Sequence, residues 1–130
     1  MEEVFEFLKK CGTFYLATED GDQPRVRPFG AINIYEGKLY LQTGKVKNVS
    51  KQMQVNPKVE ICGFMDGKWV RVEAKVVRDE RTEAKESMLD ANPELKSMYS
   101  ANDDNTEVLY LEKAKATFSS FTEPPRVVEF

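Results

Sequence analysis

The sequence predicts a mainly β domain: a small antiparallel β-barrel with helices inserted between its strands. Three observations carry this. Short β-prone runs, about six in number, recur along the chain with apolar residues alternating or clustered. Tight turn pairs, Glu36-Gly37 and Asp66-Gly67, join successive runs as hairpins. Helical periodicity is confined to short segments between the strands. The 130 residues make one domain, 1–130, and 41% apolar content with eight Phe, five Tyr and one Trp suffices for a core without disulfides or a structural metal.

The elements follow in order. Residues 2–10 form a helix, with Val4, Phe5, Leu8 and Cys11 on one stripe, and Gly12 stops it. Thr13–Thr18 is a strand and Glu19–Pro24 a turn. Arg25–Tyr35 is extended; Pro28 lacks a ladder donor, which places this strand at an edge or a bulge. Lys38–Thr43 completes the hairpin. Lys47–Val55 is a short helix ended by Asn56-Pro57. Val59–Met65 and Trp69–Arg78 form a second hairpin. Arg81–Ala91 and Pro93–Ser100 read as helices, and Ala101–Asn105 as a polar loop. Val108–Leu111 and Ala114–Phe121 are strands joined at Glu112-Lys113, and Arg126–Phe130 is a last extended piece.

The absence of histidine is the most informative feature of the composition. It removes the commonest metal ligand and the commonest general base. A Ser-His-Asp system and a haem on a proximal histidine are excluded, and no metal site is expected. An enzyme of this composition needs an organic cofactor to carry its chemistry. No apolar run approaches a membrane span, and the acidic, amphipathic start does not resemble a signal peptide. Cys11 and Cys62 form no CxxC pair and read as two reduced thiols of a cytoplasmic protein.

The net charge of −3 conceals an asymmetry. Residues 23–59 hold Arg25, Arg27, Lys38, Lys45, Lys47, Lys51 and Lys58 against Glu36 alone, +6 in all, which leaves −9 for the rest. A basic segment in an acidic chain points to a local anion site or to a solvated charged face. Alternation puts Arg25, Arg27 and Phe29 on one face of a strand. Gln42 and Thr43 end the next strand beside Gly44. A helix then starts with Lys47, Asn48 and Ser50, and Lys51 follows one turn later. Free N–H groups at a helix N-terminus suit a phosphate, and Arg27 can make forked contacts. The set can hold a phosphorylated, planar, partly apolar ligand. Each member alone also has a duller reading: Phe29 as core, Thr43 as a cap, Arg25 as the surface partner of Asp22.

The ordered runs Gln23–Phe29, Glu36–Thr43, Lys47–Gln52, Asn56-Pro57 and Asp66–Ala74 resemble the pyridoxamine 5′-phosphate oxidase-like family. The likeness extends from Met1 to about Arg78, with a looser echo over Val108–Phe130. It implies a six-stranded antiparallel split β-barrel of the flavin mononucleotide (FMN)-binding type, a homodimer with flavin at the interface. It implies Arg27, Pro28 and Phe29 beside the ring or ribityl chain, Thr43, Lys47, Asn48 and Lys51 near the phosphate, and Gln42 among the cofactor-binding residues. It further implies that the strand carrying Trp69 and Arg71 reaches the partner's flavin. No catalytic side chain is assigned, and small molecules serve as electron donor and acceptor. The vitamin-forming oxidases are longer and grip their substrate with an Arg- and His-containing terminal motif. Without a histidine, this chain is expected to act on something other than pyridoxamine phosphate. Binding of a deazaflavin (F420), or flavin binding without turnover, are the alternatives within the fold. A nucleic-acid-binding barrel is the alternative outside it, disfavoured by the acidity of the remaining chain.

Overall fold

The computed structural model covers residues 1–130. Its strands are β1 (Phe14–Asp20), β2 (Gln23–Phe29), β3 (Ile32–Tyr35), β4 (Lys38–Gly44), β5 (Lys58–Met65), β6 (Lys68–Asp79), β7 (Thr106–Ser120) and β8 (Arg126–Glu129). Its helices are α1 (Glu2–Cys11), α2 (Asn48–Val55) and α3 (Thr82–Ala91), with a 3₁₀ turn over Pro93–Ser97. All pairings are antiparallel, in the order β2-β1-β5-β6-β7-β4-β3, with β8 beside β7. The two edge strands, β2 and β3, are consecutive in the chain and separated only by Gly30-Ala31. The sheet therefore curls until its two edge strands come side by side at this short connection without pairing, and this gap is the seam of a split barrel.

Side-chain alternation fills the interior. Leu16, Leu39, Leu41, Ile61, Val70, Val72 and Ala116 are fully buried in one cluster. Helix α1 closes this cluster with Val4 and Leu8, which are also fully buried. Each of the Val, Leu and Ile side chains among them contributes roughly 1.5–3 kcal/mol by leaving water. Gly12 ends α1 at φ 75°, a left-handed value that side chains resist. Gly63 gives α1 room to approach: a Cβ there would lie 2.8 Å from Leu8 Cδ2. A smaller cluster of Tyr40, Ala84, Met88 and Val108 packs α3 onto the sheet. Both hairpin pairs turn as expected, with positive φ at Glu36-Gly37 and at Asp66-Gly67.

Five expectations change. The barrel has eight strands rather than six. Arg25–Tyr35 is two strands broken at Gly30-Ala31, because the chain crosses the seam there. The Glu19–Pro24 turn shrinks to Gly21-Asp22, since β1 and β2 pair in register from Phe14↔Phe29 to Asp20↔Gln23. Val108–Leu111 and Ala114–Phe121 are one strand. Lys113, at φ 51°, forms a β-bulge opposite Ala74 where a turn was expected, because both halves stay paired to β6. Pro93–Ser100 is helical only to Ser97, and as 3₁₀; Asp103 then takes the Ser100 N–H into the following loop.

Candidate binding site at the barrel seam

The seam brings β1, β2 and α2 together, and Arg27 is their meeting point. Its Nη1 donates to Thr18 Oγ1 at 2.7 Å and to the Leu16 carbonyl at 3.2 Å, while Nη2 donates to Gln52 Oε1 at 2.7 Å. Thr18 Oγ1 in turn donates to Gln52 Oε1 at 2.6 Å. The guanidinium is thus fixed from two strands and a helix, yet it has no carboxylate partner. Burial, and the nearby charge of Arg25, push its pKa down. An anion beside Arg27 would relieve both effects. Arg25 is occupied differently: its Nε meets Asp20 Oδ2 at 3.2 Å, so Asp20 and not Asp22 is its partner.

Lys47 is the N-cap residue of α2 in extended conformation, and no side chain caps the helix. The Asn48 and Val49 N–H groups have no partner, while those of Ser50 and Lys51 bond the Lys47 carbonyl at 3.1 and 3.4 Å. Lys47 and Lys51 lie one turn apart and form neither an ion pair nor a side-chain hydrogen bond. Arg25, Arg27, Lys47, Asn48, Lys51 and Gln52 line an open cleft of about 800 Å³, with Glu19 and Asp20 on its far rim. Three cations free of carboxylates stand here at an uncapped helix start, an arrangement whose charge suits an anion.

A second cleft of about 460 Å³ adjoins the first and shares Arg27 and Lys47 with it. Its walls are Pro28, Phe29, Gly30 and Ala31 of the seam on one side and Leu95, Met98 and Tyr99 on the other, with Gln42 and Thr43 between. Phe29 serves two ends, because its ring also packs 6.3 Å from that of Phe14. Gln42 and Thr43 are both buried. Neither the Nε2 nor the Oε1 of Gln42 has a hydrogen-bond partner.

Eight of the ten expected site residues therefore converge: Arg27, Pro28, Phe29, Gln42, Thr43, Lys47, Asn48 and Lys51. Trp69 and Arg71 do not join them. Both lie on β6, where Arg71 Nη2 pairs with Glu60 Oε2 at 2.7 Å and Trp69 sits between the rings of Phe64 and Phe121. Sequence reasoning missed Thr18, Gln52, Leu95, Met98 and Tyr99. Gln52 was within reach, since it stands at i, i+4 from Asn48 on the face beside Lys51. The Leu95–Tyr99 wall carries no local signal, because only the tertiary fold brings it to the seam.

The fold and the seam define a split-barrel domain with a cleft lined by basic side chains. The family model described as pyridoxamine 5′-phosphate oxidase matches residues 1–122, and the chain belongs to that family. A NimC/NimA family protein of Clostridium acetobutylicum is 49% identical, with a TM-score of 0.97 over 100% of this chain and 92% of that one. General Stress Protein 26 of Bacillus anthracis is 17% identical and shares the fold, with a TM-score of 0.79 over 99% of this chain and 97% of its own. A heme binding protein of Mycobacterium smegmatis, 13% identical, has a TM-score of 0.73 over 94% of this chain and 57% of its own. No curated protein matches the sequence.

Proposed function

We propose that this chain is an FMN-binding flavoprotein oxidoreductase that works as a homodimer. The observation that carries the reading is the convergence of Arg27, Lys47 and Lys51, free of carboxylates, at the uncapped start of α2. A terminal phosphate fits there: the free Asn48 and Val49 N–H groups and two lysines meet its charge, and Arg27 adds a positive charge fixed by its bonds to Leu16, Thr18 and Gln52. The cleft then continues past Pro28 and Phe29, which offer an apolar surface to a planar ring. Bound flavin supplies reversible two-electron and hydride chemistry. The side chains of this protein bind and orient, and the fixed positive charge of Arg27 favours negative charge that develops beside it. No protein nucleophile is required. The absence of histidine separates this chain from the vitamin-forming oxidases.

The dimer is supported by an exposed aromatic group on the outer sheet. Phe64 and Phe121 are 60% and 79% exposed on either side of Trp69, next to Arg71 on β6. Burying this surface against a second copy would carry Trp69 and Arg71 to the partner's flavin. A deazaflavin has the same phosphate and a similar ring, and comparing the affinities of the two cofactors separates the readings.

Purified protein is expected to be yellow, to release FMN on denaturation, and to take it up again in a fluorescence titration. A colourless protein that takes up no FMN refutes the proposal.

A further inference from the structure

We propose that Asn105 is a positioning residue for the phosphate end of the larger cleft: from the loop before β7 it holds the Gly44–Lys47 turn so that the start of α2 stays open to an anion. The proposal rests on the flavin reading for the identity of that anion, and on the geometry of two neighbouring loops for the role of Asn105.

Gly44 at the end of β4 pairs with Thr106 at the start of β7, so the loops beyond them leave the same end of the sheet. No side chain caps α2. The turn before it is held from the other loop instead. The Asn105 carbonyl accepts from the Lys45 N–H at 2.8 Å, and Asn105 Oδ1 accepts from the Val46 N–H at 3.2 Å. The Lys47 N–H then closes the turn on the Gly44 carbonyl at 3.0 Å. With these three N–H groups bonded, the next two along the chain, those of Asn48 and Val49, are the free ones. Asn105 is itself fixed. Asp103 Oδ1 accepts from the N–H groups of Asn105 and Thr106 at 2.9 and 2.8 Å, and its Oδ2 accepts from the Ser100 N–H and the Thr106 hydroxyl, each at 3.0 Å. Burial opposes the charge of Asp103, but these bonds outweigh it and hold the carboxyl well below the usual carboxylate range.

Gly44 shows how closely the two loops approach. It has no left-handed φ to account for it; what a side chain lacks there is room. A Cβ at Gly44 would lie 3.1 Å from Asn105 Nδ2, 3.2 Å from Asn105 Oδ1 and 3.3 Å from Tyr99 Oη. Tyr99 also lines the smaller cleft, so the residues packed on Gly44 touch both halves of the site.

The test measures the Kd of FMN and of riboflavin, by flavin fluorescence, for the wild type, Asn105→Ala, Gly44→Ala and the double variant. Asn105→Ala removes the bond to Val46 and should raise the Kd of FMN about five- to tenfold, while that of riboflavin, which has no phosphate, changes less than about twofold. Gly44→Ala crowds Asn105 and should produce the same selective loss. Once residue 105 is alanine most of that crowding is gone, so Gly44→Ala should then cost little. A loop that only stabilised the fold would lower the melting temperature and weaken both flavins alike. Inorganic phosphate gives a readout that needs no flavin: it should shift the amide resonances of Asn48 and Val49 in the wild type, with a higher midpoint in Asn105→Ala. Should Asn105→Ala fail to fold, Gly44→Ala carries the same comparisons.

The proposal is overturned by an FMN Kd that stays within about twofold of wild type in the single variants, by equal losses for FMN and riboflavin, or by a Gly44→Ala effect of the same size in both backgrounds. A wild type that takes up neither flavin, yet shows phosphate shifts that weaken in the variants, would remove the flavin reading and keep this one. FMN uptake indifferent to Asn105 would do the reverse. Failure to bind either flavin or phosphate would remove both.

Discussion

Replacing Lys47 and Lys51 together by alanine separates binding from folding. Both side chains lie on the exposed side of α2 and neither has an ion-pair partner. Surface changes of this kind stay within about 0.5 kcal/mol of wild-type stability, and alanine is the better helix former. The melting temperature should therefore move by no more than about 2 °C. Binding should respond strongly. An ammonium beside a phosphate at a partly exposed site contributes about 1–1.5 kcal/mol, well below the value for a buried pair. Two such contacts sum to about 2–3 kcal/mol, or a 30- to 150-fold rise in the Kd for FMN. Riboflavin, which lacks the phosphate, serves as the internal control: its Kd should change less than about threefold. The assay is quenching of flavin fluorescence at two salt concentrations, and the slope of log Kd against log salt should flatten in the variant. Equal losses for FMN and riboflavin would refute the placement of the phosphate at α2. So would an unchanged Kd for FMN.

Other outcomes follow from the same coordinates. Tyr40 donates to Asp79 at 2.7 Å in the interior, and Tyr40→Phe should cost about 1.5–3 kcal/mol, read as a fall of several degrees in melting temperature. The bonds of Arg81, and then that of Tyr40, hold the Asp79 pKa down at about 2. A depressed carboxylate stabilises above its unfolded value, so this contribution should be complete above about pH 4 and lost as pH falls toward 2. In Tyr40→Phe the folded value rises toward the unfolded one, so the loss should be smaller and complete at higher pH, which acid titration followed by circular dichroism reads. Gly63→Ala places a Cβ against the fully buried Leu8 and should lower stability by about 1–2 kcal/mol in urea unfolding, by forcing α1 outward. Phe64→Lys with Phe121→Lys should yield monomers in sedimentation together with weaker FMN binding. A dimer that persists would place the interface elsewhere.

Much of the fold was legible because the local signals agreed with the tertiary outcome. The α1 stripe, the Gly12 stop and the two positive-φ turns each follow from residues close in sequence. The errors fell where pairing partners outweighed local chemistry. Glu112-Lys113 looks like a turn, but continuous pairing to β6 turns it into a bulge. Pro28 marked Arg25–Tyr35 as one edge or bulged strand, and only closure of the sheet makes Gly30-Ala31 a crossing between two edges. The site divided in the same way. Its cations were visible as a basic segment. Gln52 was visible by helix spacing but passed over. The Leu95–Tyr99 wall lies more than thirty residues beyond that segment and was hidden until the chain was folded.

The fifteen-residue strand β7 has a consequence for how the chain is made. It pairs with β6 along nearly its whole length, with β4 over its first part and with β8 over its last. The hairpin of β3 and β4, which forms one side of the seam, joins the other strands only through it. During synthesis the seam residues Arg27 and Phe29 emerge early, but the cleft between them and Gln42 cannot take shape until residues 106–120 have left the ribosome. At about 5–20 residues per second, that leaves several seconds in which the basic segment is exposed before it can select its ligand.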